Sequence, residues 1–255
     1  MSEEVKRVRL AAVADIHCGR NSQGEFRPLF EAMSDAADVI IIAGDLTSYG
    51  LVEEAKVLAE ELSVIRRKPI MAVLGNHDVE SNQQDELCKI LTGAGMTILD
   101  GDAVEIQGVG FAGVKGFAGG FGRRSLEPWG EQTIKQFVRD AVDEALKLES
   151  ALARLRHEPR VVIVHYAPIH ATVVGEPEEI FPFLGSSRLE EPIDRYRATV
   201  AFHGHAHHGS PEGRTKGGVP VYNVAIPVMR KVNGDAPPFR LFEVEARQPE
   251  VAATT

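Results

Sequence analysis

Metal-binding side chains follow apolar, strand-like segments of this sequence at five places. The donors are carboxylates, an amide and imidazoles: Asp15 with His17, Asp45, Asn76, His165, and the histidines of residues 203–208. The segment Val39–Ala43 is apolar throughout, which is typical of a central strand covered on both faces. Because ligands and catalytic groups collect at the carboxyl ends of strands in such sheets, the pattern predicts one shared site.

Asp45 taken alone permits a simpler interpretation. A carboxylate at this position also suits a turn or the N-cap of a helix. Asp15 and His17 are two residues apart, so their side chains point the same way in an extended chain and could hold one ion. The recurrence of such donors after five separate segments favours a metal site over turn and cap residues.

The donor set indicates the kind of metal. Carboxylate, amide and imidazole donors without thiolate suit manganese, iron, zinc or cobalt, and not a structural zinc knuckle. The two cysteines, Cys18 and Cys88, are predicted to be core residues. The donors are too many for one ion. Two divalent ions ~3.5–4 Å apart, bridged by a carboxylate, clamp the attacking and leaving oxygens in displacement at phosphorus.

The series of motifs resembles that of the calcineurin-like metallophosphoesterases, a family of binuclear metal-dependent phosphoesterases. The sequence has D-x-H at Asp15, G-D at Gly44, G-N-H-D at Gly75, a lone histidine at His165 and G-H-x-H at Gly204, in the family's order. The resemblance implies an α/β fold of four layers, with two mixed β-sheets packed face to face and flanked by α-helices. This expectation replaces the doubly wound sheet that the strand pattern alone suggests.

The resemblance also implies which residues hold each ion. The first metal would take Asp15, His17, Asp45 and His207. The second metal would take Asp45, Asn76, His165 and His205. Asp45 would therefore bridge the two ions.

The histidine cluster offers two alternating registers. Only the register that begins at Gly204 gives G-H-x-H, so His205 and His207 are the predicted ligands. His203 is interpreted as a buried histidine that supports the site, and His208 as a surface residue.

Charge accounting predicts a mechanism. Two divalent ions, two carboxylates and a bridging hydroxide leave an excess of about one positive charge, which attracts phosphate. The hydroxide forms because metal ions lower the pKa of bound water to ~7, and it would attack phosphorus in line with the leaving oxygen. His77 would contact the phosphate or protonate the leaving group, and Asp78 would orient His77.

Periodic segments surround these motifs. Apolar residues at helical spacing predict helices over residues 25–37, 51–65, 81–93 and 131–156. Short strands are predicted at residues 96–99, 103–107, 109–114, 160–164, 200–202, 219–225 and 239–244. No linker divides the chain, so residues 1–255 are predicted to form a single domain, with a helical and glycine-rich insertion at about residues 115–156.

The insertion is predicted to set substrate choice. Its glycine-rich run, residues 116–122, indicates a flexible wall or lid, and it lacks the G-x-x-x-x-G-K motif of a nucleotide P-loop. Arg123 and Arg124 suit a second phosphate or a carboxylate on the substrate, because the planar guanidinium binds such groups through two hydrogen bonds. Surface arginines are the alternative. His170 is either a rim residue or a substrate contact.

Composition limits the class of protein. The chain has 255 residues, 44% of them hydrophobic and 25% charged, which is ordinary for a globular protein. Its net charge of −9 argues against broad nucleic-acid binding. No apolar segment approaches the ~20 residues of a membrane span, and the N-terminus lacks the shape of a signal peptide. A cytoplasmic location without a membrane partner is therefore expected.

The predicted function is hydrolysis of a small-molecule phosphodiester or phosphomonoester by a bridging hydroxide at the binuclear centre. A nuclease acting on DNA or RNA is one alternative, and it would need a basic groove or a DNA-binding domain. A non-enzymatic scaffold of the same fold is another, and loss of His77 or of several metal ligands would mark it. The sequence keeps all of these residues. The substrate and the oligomeric state stay open.

Overall fold

The computed structural model describes residues 6–246 and arranges them in four layers. Two β-sheets pack face to face in the middle, and helices cover the outer face of each sheet. Both sheets contain parallel and antiparallel pairs. The predicted α/β sandwich is confirmed.

The first sheet carries the N-terminal half of the predicted ligands. Its strands, numbered in chain order, are β1 Lys6–Val13, β2 Val39–Ala43, β3 Ile70–Val73, β4 Met96–Ile98 and β11 Arg240–Ala246. Their order across the sheet is β11-β1-β2-β3-β4. Strands β1 to β4 are parallel, and β11 pairs with β1 in the antiparallel direction.

The second sheet carries the remaining ligands. Its strands are β5 Asp102–Ile106, β6 Val109–Val114, β7 Arg160–Val164, β8 Val200–His203, β9 Glu212–Arg214 and β10 Pro220–Asn223. Their order is β5-β6-β7-β8-β10-β9. The four inner strands are parallel, whereas β5 and β9 are antiparallel edges.

Seven α-helices complete the fold within the described residues. They are α1 Arg27–Ala36, α2 Val52–Leu62, α3 Gln84–Gly93, α4 Gln132–Arg154, α5 Phe181–Leu184, α6 Glu190–Arg195 and α7 Ile226–Asn233. Side chains of α1, α2 and α3 pack on the outer face of the first sheet, and those of α4 and α6 on the second. Within residues 6–246, none of these helices combines the length and the apolar character needed to cross a bilayer.

The central strand β2 is buried on both faces, as its sequence predicts. Ile40 and Ile42 pack among the helices of the first sheet, whereas Val39 and Ile41 pack against the second sheet. All four side chains are fully buried. Burial stabilises each by about 1.5–3 kcal/mol, so β2 is a rigid base for the residues at its carboxyl end.

The helix within the predicted insertion packs on the second sheet. Helix α4 connects the parallel neighbours β6 and β7. Its residues Leu148, Ala151 and Leu152 are buried against the second sheet. The helical half of residues 115–156 therefore forms the outer layer of that sheet.

The glycine-rich run is tied down at two positions. The Gly119 amide donates to the Pro182 carbonyl at 2.7 Å, and the Gly120 amide donates to the Gly185 carbonyl at 2.8 Å. These bonds hold the run along the segment that includes α5. In this structure the run therefore forms a wall. The sequence predicts either a flexible wall or a lid.

Candidate metal centre

The predicted ligands come together at the carboxyl ends of strands from both sheets. Asp15 and His17 follow β1, Asp45 follows β2 and Asn76 follows β3. His165 follows β7, and His205 and His207 follow β8. Ala14 forms a parallel bridge with Ala225, which joins the end of β1 to the loop after β10. One cluster thus draws on both sheets.

The first group of donors comprises Asp15, His17 and His207, whose ligand atoms lie within 4.8 Å of one another. His207 Nε2 lies 3.0 Å from Asp15 Oδ1, and His17 Nε2 lies 4.0 Å from the same oxygen. Asp15 is almost completely buried, and the two histidines are half-buried.

The second group comprises Asp45, His165 and His205. His165 Nε2 lies 3.4 Å from Asp45 Oδ1 and 3.0 Å from Asn76 Oδ1. The rings of His165 and His205 are 4.9 Å apart. Asn76 therefore belongs to this group.

Asp45 faces both groups. Its Oδ2 lies 3.7 Å from His17 Nε2, and its Oδ1 lies 3.4 Å from His165 Nε2. The carboxylate is 1% exposed, so its two oxygens have no access to bulk water. This is the position that a bridging carboxylate requires.

Glycines before the ligands leave room for the ligands of other strands. A Cβ atom at Gly44 would lie 2.4 Å from His165 Nδ1, and one at Gly204 would lie 2.3 Å from Asp15 Oδ2. Real Cβ atoms essentially never approach so closely. The glycines of the G-D and G-H-x-H motifs thus have a steric purpose in this structure.

Backbone strain is concentrated at the same cluster. Asp15, His17, Asp45 and His205 all have positive φ angles, between 48° and 69°. Such a conformation costs about 1–3 kcal/mol for a residue with a side chain, and it persists where the surroundings enforce it. Strain of this kind gathers at functional sites.

The charges of the second group are tightly linked. Burial raises the pKa of Asp45, but His165, the His77 amide and His17 together outweigh this effect, so the pKa of Asp45 stays below its usual range. Burial lowers the pKa of His165, yet the Asp45 and Asp15 carboxylates and the Ala43 carbonyl together outweigh this effect, and the pKa rises to about 9. Burial lowers the pKa of His205 to about 4, which keeps this imidazole neutral.

Main-chain carbonyls orient the imidazoles. His165 Nδ1 lies 3.0 Å from the Ala43 carbonyl, and His205 Nε2 lies 3.2 Å from the Phe183 carbonyl. Each of these nitrogens therefore donates its proton to the carbonyl. In the neutral form of each imidazole, the other ring nitrogen, His165 Nε2 or His205 Nδ1, carries the lone pair that a metal ion binds.

His17 supplies a direct test of whether metals fit. Its Nε2 is buried and has no hydrogen-bond partner among residues 6–246, although two carboxylates lie at 3.7 and 4.0 Å. A buried polar atom without a partner is rare in native proteins. Two groups of nitrogen and oxygen donors around this atom fit a pair of divalent ions.

His77 lies at the rim of the centre. Its Nδ1 donates to the Ser48 carbonyl at 2.7 Å, and its Nε2 lies 4.0 Å from Asp45 Oδ2. The side chain is 36% exposed. His77 also falls within 4.8 Å of donor atoms of His17 and Asp45, so its free nitrogen faces the site.

Asp78 does not orient His77, and this part of the sequence prediction is wrong. Its carboxylate is completely buried and accepts bonds from the amides of Leu46, Thr47 and Gly75 at 2.8–3.1 Å. The Thr47 hydroxyl adds a fourth bond at 2.7 Å. Asp78 therefore holds the loop after Asp45, out of reach of substrate, and the Ser48 carbonyl orients His77 instead.

Three other predicted residues are not among the grouped donors. Arg123 and Arg124 are exposed in a 3₁₀ turn, Gly122–Arg124, and their role in substrate binding stays a prediction. His170 is exposed and packs on Phe121 and Phe181. It lines a cavity of about 480 Å³ that none of the predicted metal ligands lines.

The remaining histidines and cysteines follow their sequence interpretations with one exception. His203 is fully buried and contacts the Thr172 hydroxyl at 2.8 Å, and His208 is exposed. Cys18 is a core residue. Cys88, however, is only half-buried, because it lies beside the buried stripe of α3.

Two residues beside the predicted ligands were not predicted from the sequence. Lys115 follows β6 directly, at the same edge as the ligands, and Tyr166 follows His165. The Tyr166 ring lies 4.4 Å from the His205 ring, and burial lowers the pKa of Lys115. The rule that found the ligands, a polar residue at the end of an apolar strand, also points to Lys115.

Comparisons with solved structures agree with this fold. Phosphopantetheinyl hydrolase from Mycobacterium tuberculosis is similar with a TM-score of 0.64 at 17% identity, over 91% of this chain and 95% of that one. The protein TT1561 of Thermus thermophilus gives a TM-score of 0.55 at 15% identity, over 95% and 100%. These likenesses show the fold alone. A search of curated proteins finds no match.

The sequence itself shows the family. The sequence model of the calcineurin-like phosphoesterase family matches residues 8–209. This span begins in β1, ends just after His207 and includes every predicted ligand. The chain therefore belongs to the calcineurin-like phosphoesterase family.

Proposed function

We propose that this protein hydrolyses a phosphate ester of a small molecule at a centre of two divalent metal ions. The observation that carries the proposal is the placement of Asp45, whose two carboxylate oxygens face the donor groups around His17 and His165. One carboxylate between two groups of nitrogen and oxygen donors is the arrangement of a two-metal site.

Each ion would be held by residues of both sheets. The first site would use Asp15, His17, Asp45 and His207. The second site would use Asp45, Asn76, His165 and His205. When bound, the ions would supply Lewis acidity toward phosphate oxygens and a water molecule of lowered pKa. Manganese, iron, zinc and cobalt all suit these donors.

The protein's own residues complete the site. The Ser48 carbonyl fixes the Nδ1 proton of His77, so Nε2 is presented to the substrate. When Nε2 is protonated, it can donate this proton to the leaving oxygen or bond to a phosphoryl oxygen. Burial of the Asp45 carboxylate excludes bulk water from the base of the site and strengthens its electrostatic interactions.

The test is activity with defined metals. The protein is stripped of metal with a chelator, reloaded with manganese, iron, zinc or cobalt, and assayed against phosphomonoesters, linear and cyclic nucleotide diesters, glycerophosphodiesters and short DNA and RNA. The proposal expects hydrolysis of a small ester that requires added metal. Turnover that persists after complete metal removal contradicts it, and a preference for DNA or RNA supports a nuclease instead.

A further inference from the structure

Lys115 occupies the strand end beside a predicted ligand. Val114 of β6 pairs with Val164 of β7 in the parallel sheet, so the next residues, Lys115 and His165, emerge side by side. The Lys115 carbonyl accepts the amides of His165 and Tyr166 at 3.0 and 3.2 Å. Lys115 is therefore fixed to the edge of the metal centre through its main chain.

The ammonium group of Lys115 lies in an aromatic recess. Its Nζ is 5.1 Å from the centre of the Phe117 ring and 5.2 Å from that of Tyr166. The Tyr166 ring in turn contacts the His205 ring. Aromatic faces attract a cation, so these two rings hold the ammonium group next to Tyr166, which adjoins the predicted ligand His205.

This cation has no carboxylate in direct contact within the described residues. Within residues 6–246 no carboxylate oxygen lies within 4.0 Å of Lys115 Nζ. The nearby Glu144 is engaged elsewhere, since it accepts the Gly116 amide at 2.8 Å and pairs with Lys147 at 2.8 Å. Glu144, Asp100 and Asp140 attract this ammonium only from beyond 4.0 Å, and direct contact with an anion would offset its desolvation more fully.

The hydrogen-bonding capacity of the Lys115 ammonium group is only partly used within the described residues. An ammonium group has three donors, and Lys115 Nζ uses one of them on the Gly116 carbonyl at 2.9 Å. No other acceptor in the described part of the chain takes the remaining donors. An anionic oxygen would satisfy both the charge and these donors.

From these observations we infer that Lys115 binds a second anionic group of the substrate, separate from the ester phosphate at the metal centre. This inference rests on the proposed function and narrows it to small phosphate esters that carry a further carboxylate or phosphate. Lysine acts as a compact point charge, so either group is accepted. Lys115 is thus a specificity-determining residue.

The test measures binding without turnover. Calorimetry compares three phosphonates on the manganese-loaded protein: propylphosphonate, phosphonopropionate, which adds a carboxylate, and trimethylene diphosphonate, which adds a second phosphonate. The wild type is expected to bind at least one of the two ligands with a second anionic group about tenfold or more tightly than propylphosphonate, because a charge-assisted hydrogen bond is worth that factor or more.

Three variants identify the source of the preference. Lys115→Met keeps much of the apolar stem and should remove the preference while propylphosphonate binding is unchanged. Lys115→Arg keeps the charge and should retain most of it. Lys89→Met removes an exposed lysine of α3 that pairs with Glu86, and it should behave as the wild type.

Two results overturn the inference. One is a wild type that shows no preference for either ligand with a second anionic group, including failure to bind any of the three. The other is a Lys115→Met variant that weakens all three ligands equally, which would mark a structural role. Since binding is read without hydrolysis, loss of the proposed enzymatic function and loss of this inference are distinguished: inactive protein that shows a Lys115-dependent preference refutes only the former.

Discussion

Gly75 and Asp45 lie so close together that no side chain fits at Gly75. A Cβ atom there would lie 2.0 Å from Asp45 Oδ1 and 2.3 Å from the Asp45 amide nitrogen. Gly75 does not have a positive φ angle, so space and not backbone conformation demands the glycine. The ends of β2 and β3 can meet around one carboxylate only because of this residue.

Replacing Gly75 with alanine should therefore damage both stability and metal binding. Overpacking of this kind costs about 1–3 kcal/mol in the free energy of unfolding, and the displaced Asp45 should lose metal affinity. Denaturant unfolding and a metal titration measure the two effects.

Gly93→Ala is the matched control, because Gly93 lies in α3 with open space around it. It should be neutral or slightly stabilising. Equal behaviour of the two variants would refute the steric argument.

The loss of hydrolysis rate on removal of the His77 imidazole should depend on the leaving group. An alkoxide must gain a proton as it departs, whereas a nitrophenolate leaves unassisted, and positioned acid catalysis contributes typically ~10²- to 10⁴-fold. His77→Ala should therefore slow alkyl esters far more than nitrophenyl esters. The measurement is the slope of log kcat/KM against leaving-group pKa, with metal content as the control. An unchanged slope would assign His77 to charge stabilisation, and lost metal would make it a ligand.

Asp78→Asn should destabilise the protein, because the Asp78 carboxylate is completely buried. Burial and the nearby Asp45 carboxylate raise the pKa of Asp78 to about 6, so it is ionised at neutral pH and accepts four hydrogen bonds. An amide would turn a donor toward the backbone amides. Loss of hydrogen bonds to a buried charged group costs about 1.5–3 kcal/mol or more. Asp143→Asn, at an exposed position of α4, should leave the unfolding midpoint unchanged, and a similar result for Asp78→Asn would contradict this account.

The strands and the ligand types were within reach of the sequence because they depend on local signals, whereas the four-layer sandwich was predicted from the resemblance to a known family. The apolar run Val39–Ala43 predicts a central strand by its composition alone, and parallel strands place their carboxyl ends at one edge. The steric purpose of Gly44 and Gly75 could not be read in this way, because the atoms they avoid lie on other strands.

Side-chain partners were the part that the sequence could not supply. Asp78 is adjacent to His77, which suggests that they interact, yet its partner Thr47 is 31 residues away. Neighbours in a 3₁₀ turn such as His77–Val79 point in different directions. Likewise, the packing of α4 on the second sheet depends on the crossover between β6 and β7, which spacing along the chain does not reveal.

Metal affinity should fall as the pH is lowered below about 9. The pKa of His165 is raised from 6.5 to about 9 in the metal-free protein, so this imidazole carries a proton at neutral pH. A metal ligand must be unprotonated. Binding should then release about one proton from this group, and the dissociation constant should rise about tenfold for each pH unit. Manganese calorimetry in buffers of different ionisation enthalpy counts the protons. Binding without proton release would show that His165 is not a ligand.

Asp45 is the residue on which the two-metal account depends. Asp45→Asn keeps an oxygen that can accept the His77 amide, as Oδ1 does at 2.9 Å, but it loses the charge that faces both donor groups. The most direct test is elemental analysis of metal per chain, together with turnover, in the wild type and in Asp45→Asn. The account predicts two equivalents in the wild type and reduced occupancy of both sites in the variant. Two full equivalents of metal with normal turnover in Asp45→Asn would contradict it.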